Sequence, residues 1–106
     1  MYYIYMLRCD DDSIYTGITT DIAKRVKEHF YKSDKAAKYT KTRNVVALEA
    51  LWSCDNRSLA SKLEYRLKHL PKIKKEQIIT QPALIEDELY QVVSNYSLDV
   101  CLKQDN

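Results

Sequence analysis

Glycine is almost missing from this chain of 106 residues: Gly17 is the only one, beside two prolines, one tryptophan and one phenylalanine. No internal repeat or low-complexity segment interrupts the chain. Cysteine is scarce too. Cys9, Cys54 and Cys101 are an odd number at wide spacings with no CxxC pair, which argues against a disulfide framework or a cysteine zinc site and leaves ordinary reduced thiols. There is no apolar run of about 18 residues, and no charged start followed by an apolar signal core. A cytoplasmic protein with no membrane segment is expected. At this length the chain makes one domain, able to bury about 60 to 70 per cent of its unfolded surface without covalent staples.

Tyrosine and charge are what the chain has in quantity, with nine tyrosines and 30% charged residues. The net charge of +2 conceals an asymmetry. Residues 1–79 hold sixteen Lys and Arg against ten Asp and Glu, a balance of +6, whereas residues 80–106 hold one against five, a balance of −4. A basic body suits a protein that handles a polyanion, because Lys and Arg contacts to phosphates release counterions without demanding a sequence.

The run Tyr2 to Arg8 is aromatic and β-branched enough for a strand, Asp10 to Ser13 reads as its reversing turn, and Ile14-Tyr15-Thr16 returns antiparallel. Alternation puts Tyr3, Tyr5 and Leu7 on one face and Tyr2, Ile4, Met6 and Arg8 on the other. Gly17 is expected to close the second strand before Thr19-Thr20-Asp21, which offers N-cap candidates for a helix ahead of Ile22. Ile22, Val26 and Phe30 then form an apolar stripe, with Arg25 and His29 in a parallel row at its edge. Residues 32–44 show no apolar periodicity and read as an exposed basic loop. Its Lys35, Lys38, Lys41 and Arg43 are expected to follow a nucleic-acid backbone, with Tyr39 available to stack.

Val45 to Trp52 makes a third strand, and Asn56 or Ser58 can cap a helix over Leu59 to Leu70 with a leucine stripe at 59, 63, 67 and 70. Glu64 lies one residue off that stripe, where it can reach a cleft or pair with Lys68 at i,i+4. Pro71 opens a separate short helix over Lys72 to Ile79. Ala83 to Val93 reads as an acidic amphipathic helix that can dock on the basic body, join a partner or fray, and Cys101 to Asn106 is expected to be disordered.

Tyr3-Ile4-Tyr5, Tyr15-Thr16-Gly17, Arg25 eight residues on, His29 and the later Glu64 together resemble the GIY-YIG nuclease domain over roughly residues 1–79. The closest likeness is to its small stand-alone bacterial members. The resemblance implies an α+β fold: a small, mainly antiparallel three-stranded sheet flanked by helices. Residues 80–106 would add an acidic extension, a helix followed by a flexible tail. It further implies a metal-dependent endonuclease hydrolysing phosphodiester bonds in structured or damaged DNA, whether branched, nicked or single-stranded. Tyr5 would be the base, Tyr15 would hold water or phosphate, and His29 would assist proton transfer. Arg25 would clamp phosphate through its planar fork, and Glu64 would anchor Mg²⁺ or Mn²⁺, which keeps most of its waters. A phenol with a pKa near 10 needs nearby positive charge to serve as base.

Three departures stand out. Tyr3 replaces the leading glycine, Ile18 stands where some members carry a lysine, and a later asparagine has no counterpart. Two further readings stay open: a non-catalytic DNA- or RNA-binding module of the same fold, and an adaptor that recruits a protein through residues 83–96.

Overall fold

The computed structural model describes residues 1–104. Four strands form one antiparallel sheet in the order β2-β1-β3-β4: β1 is Tyr2–Cys9, β2 Ile14–Thr19, β3 Val45–Cys54 and β4 Gln91–Val92. Five α-helices accompany it: α1 Ile22–Phe30, α2 Lys38–Lys41, α3 Arg57–Lys68, α4 Lys72–Thr80 and α5 Leu98–Lys103. Among the described residues no helix is long and apolar enough to cross a membrane.

Local chemistry sets these boundaries. Asp12, with φ 69°, takes the left-handed turn position that Asp tolerates, and Cys9 N donates to Ser13 O at 2.9 Å across the reversal. Asp21 accepts from Lys24 N at the start of α1, and Asn56 accepts from Leu59 N at the start of α3. The strand faces alternate as the sequence requires. Ile4, Met6, Ala50 and Trp52 pack against Ala60, Leu63 and Leu67 of α3 and Ile78 of α4. Tyr5, Leu7 and Leu51 pack on the other face against Ile22, Ala23 and Val26 of α1 and Cys101 of α5. Helices α1 and α3 therefore cover opposite faces, and β2 is the edge strand around which both can reach.

Four expectations change. The sheet has four strands, not three, because Gln91–Val92 pairs antiparallel with Trp52 and Ser53. The helix expected over Ala83–Val93 is replaced by a 3-10 turn at Pro82–Leu84 and an extended return into β4. Its acids bind backbone amides instead of lining a helix: Asp87 accepts from Leu89 N and Tyr90 N, and Glu86 from Val92 N. This segment is fastened to the body. Tyr90 is buried and donates its hydroxyl to Leu59 O at 2.6 Å, and Trp52 Nε1 donates to Pro82 O at 3.1 Å. Of the tail expected to be disordered, Cys101 to Lys103 lie in α5 with Cys101 fully buried, while Asp105 and Asn106 lie outside the described residues. Finally, the basic loop holds one helical turn, α2, whose Thr40 is buried.

Candidate active site

Tyr5 projects from β1 on the α1 face, directly opposite Gly17 of β2 in the ladder. A Cβ built on Gly17 would overlap the Tyr5 hydroxyl and lie 2.6 Å from its Cζ and 3.1 Å from Tyr15 Cε2. Gly17 has no positive φ, and β2 runs on to Thr19. The glycine therefore does not end the strand, as the sequence suggested; it leaves room for the Tyr5 ring to cross β2 toward the sheet edge.

There the Tyr5 hydroxyl meets His29 of α1, Oη to Nε2 at 2.8 Å, and His29 Nδ1 meets Thr40 Oγ1 at 2.7 Å. The Thr40 hydroxyl already donates to Ala37 O at 3.0 Å, so toward His29 it accepts. Nδ1 then carries the imidazole proton, Nε2 presents its lone pair, and Tyr5 is the donor. All three side chains are fully buried. Burial first, and the Arg25 charge second, push the His29 pKa down to about 4, so at neutral pH it is an uncharged proton acceptor. Burial and the neighbouring Tyr15 raise the Tyr5 pKa above its ordinary value, with Arg25 opposing.

Arg25 is pinned through Nη1, which donates to Glu28 Oε1 at 3.0 Å and to Lys35 O at 2.6 Å. Burial works against its charge, but the Glu28 bond and the Tyr5 hydroxyl outweigh that and raise its pKa. The Tyr15 ring lies 5.1 Å from His29 and 6.2 Å from Tyr5, centroid to centroid. Tyr39 packs on Tyr15 at 5.6 Å, and the Arg43 guanidinium sits 3.8 Å from the Tyr39 ring while pairing with Asp11 at 2.9 Å. Tyr39 and Arg43, expected on nucleic acid, are thus engaged in buttressing Tyr15, whereas Lys35, Lys38 and Lys41 are exposed.

Residues 1–77 match the family described as the GIY-YIG catalytic domain. The chain belongs to that family. Among similar proteins, UPF0213 protein FN1575 of Fusobacterium nucleatum subsp. nucleatum is 53% identical over 81 residues, covering 76% of this chain and 79% of that protein. UPF0213 protein BH0048 of Halalkalibacterium halodurans is 44% identical over 79 residues, covering 74% and 82%. A solution NMR structure of the UPF0213 protein BH0048 from Bacillus halodurans matches at 44% identity and a TM-score of 0.48, covering 76% of this chain and 84% of that one. These relatives are small stand-alone bacterial proteins, and GIY-YIG domains are those of a nuclease family.

In this GIY-YIG domain Glu64 approaches from the opposite face of the sheet. Lys68 joins it to the rest: its Nζ lies 3.3 Å from Glu64 Oε2 and 5.7 Å from the centre of the Tyr15 ring. The Glu64 charge also contributes to raising the Tyr5 pKa, so carboxylate and arginine act on one hydroxyl around the β2 edge. Of the two readings posed in the sequence, the i,i+4 pair with Lys68 is formed, and that pair lies beside the Tyr15 ring. Among the described residues no three His, Cys, Asp or Glu side chains gather to hold a metal. A lone, partly buried carboxylate suits a cation that keeps its waters and takes its other ligands from phosphate, and so fits Mg²⁺ or Mn²⁺. Sequence reasoning missed Thr40 and Lys68 as parts of the site. Thr40 carries no sequence signal, being one hydroxyl within a lysine-rich run.

Proposed function

We propose that the protein is a metal-dependent endonuclease that hydrolyses phosphodiester bonds in structured or damaged DNA. The observation that carries this reading is the buried relay Tyr5 Oη, His29 Nε2, His29 Nδ1, Thr40 Oγ1, with its donors and acceptors fixed in one direction. Tyr5 already donates to His29, so its oxygen, buried in the free protein, can take a proton from a water brought in with the substrate as its own proton passes to Nε2. A free phenolate is never needed, but His29, its pKa lowered by burial and Arg25, is a weak base until the negative charge of a bound phosphate offsets Arg25 and favours the imidazolium. Arg25, its plane held by Glu28 and Lys35, presents a charged fork to the phosphate, and Tyr15 lines the wall beside it. Glu64 would hold the cation, whose chemistry when bound is to neutralise phosphoryl charge and stabilise the departing alkoxide. Lys68, now on Glu64, is free to turn to a phosphate once a cation takes over the carboxylate. The exposed lysines 35, 38 and 41 would meet the backbone of the DNA.

The test is incubation with flap, fork, nicked and single-stranded DNA, with and without Mg²⁺ or Mn²⁺. Cleavage by wild type, its loss in Tyr5→Phe, and its loss in Glu64→Ala with DNA binding retained are expected. A Tyr5→Phe variant that keeps most of the rate would sink the relay. Binding without cleavage on every substrate would leave the non-catalytic module.

A further inference from the structure

The solvent side of α3 carries a feature that this mechanism does not use. Tyr65 follows Glu64 directly and projects about 100° further round the helix, so it stands beside the site and outside it. It is 65% exposed, a large aromatic surface left in water. The ring nevertheless has a partner. It stacks on the His69 imidazole with centroids 4.0 Å apart and planes 29° apart, and His69 Nδ1 donates to Tyr65 O at 2.8 Å. Two flat rings stacked on each other at a helix end offer a stacking surface whose mutual contact restrains both side chains, which lowers the ordering entropy lost when a third ring joins them.

The surroundings select what that third ring belongs to. Ser58, Ser61, Lys62, Tyr65 and Arg66 line an open hollow of about 530 Å³. Glu64 is the only acid on α3 and is paired to Lys68, while Arg57, Lys62 and Arg66 are all exposed. An apolar peptide would leave those cations and hydroxyls facing it without counterparts. A nucleobase flanked by phosphates satisfies both the rings and the charges. We infer that Tyr65 and His69 form a stacking platform for an unpaired base of a nucleic-acid strand, with Lys62 and Arg66 on the adjoining phosphates. The inference builds on the proposed DNA substrate and gives it a direction: the strand leaving the Glu64 edge passes over the exposed side of α3 with at least one base unstacked from its partner.

The experiment measures binding alone, with chelator present so that no cleavage occurs. Fluorescence anisotropy would follow the full chain on three labelled ligands: oligothymidine, an abasic strand of the same length, and a blunt duplex. Tyr65→Ala is expected to weaken oligothymidine binding about tenfold or more and the abasic strand and duplex less than about twofold. Tyr65→Phe, which keeps the ring, should bind as wild type does. Lys62→Ala with Arg66→Ala should lower the salt slope on single strands by about 1.4, at about 0.7 per phosphate contact. Because Tyr65 is exposed, circular dichroism of Tyr65→Ala should match wild type. Unchanged affinity of Tyr65→Ala for oligothymidine, or an equal loss on the abasic strand, would overturn the platform. A wild-type chain that binds oligothymidine through Tyr65 and never cleaves DNA would refute the endonuclease instead and leave the platform standing.

Discussion

Thr40→Val is the sharpest perturbation of the site, since it removes one hydroxyl and keeps the side-chain volume. In the wild type that hydroxyl accepts from His29 Nδ1 at 2.7 Å inside a fully buried pocket. Without it the Nδ1 proton has no partner, at a cost of about 1–3 kcal/mol, which a domain of ordinary stability survives. Moving the proton to Nε2 relieves that cost but sets an N–H against the Tyr5 hydroxyl, and the imidazole can then no longer accept from it. In the first case the imidazolium formed when Nε2 takes the Tyr5 proton lacks its Nδ1 partner, in the second Nε2 cannot accept at all, and general-base catalysis of this kind is worth about 10²- to 10⁴-fold. Single-turnover cleavage by Thr40→Val is expected to fall by at least about 10²-fold, and by Thr40→Ser only a few-fold. Nitrogen NMR on histidine-labelled protein would show which ring nitrogen carries the proton, independently of activity. A Thr40→Val protein with the wild-type rate would refute the relay, and a Thr40→Ser protein as slow as Thr40→Val would show that shape, not the hydroxyl, is what matters.

Gly17→Ala should drive the Tyr5 ring away from His29, because the new methyl overlaps its hydroxyl; cleavage should drop by about 10²-fold in a protein that still folds by circular dichroism, and full activity would contradict the crossing of β2. His29, with its folded pKa lowered from 6.5 to about 4, contributes stability that is fully present above pH 6.5 and is lost as pH falls through 4. Denaturant titrations should show a loss of up to roughly 3 kcal/mol across that window, absent from the same window in His29→Gln. Thr16 Oγ1 is buried without a hydrogen-bond partner among the described residues, so Thr16→Val should raise stability by about 1 kcal/mol and the melting temperature by about 4 °C; a lower melting temperature would mean that the hydroxyl is satisfied.

How much of this was legible in the sequence follows from the range of the forces involved. Strands β1, β2 and β3 and helices α1, α3 and α4 are written in local periodicity and caps, and they form close to their expected bounds. The acidic segment misled because its apolar residues, Leu84, Leu89, Val92 and Val93, resemble a helical stripe. Their fate was decided by Tyr90 reaching Leu59 O and by the free edge of β3, partners more than 30 residues away. The site divides in the same way. Arg25 and His29, four apart on one helix, were readable as a pair, but the tautomer of His29 depends on Thr40, whose place in a lysine-rich turn no pattern announces.

The placement of Glu64 shows why convergence at a sheet edge is hard to read in advance. Its helix packs on the face opposite α1, and a wider sheet would have separated carboxylate from arginine. Because β2 is both the edge strand and the carrier of Gly17, the sheet is thin there: Tyr5 crosses it from one side, and the Glu64–Lys68 pair reaches round it from the other. The proposed mechanism therefore depends on β2 staying an edge. A further strand paired to β2, whether from a second copy or a bound peptide, would wall off the edge around which Tyr5 and the Glu64–Lys68 pair approach Tyr15.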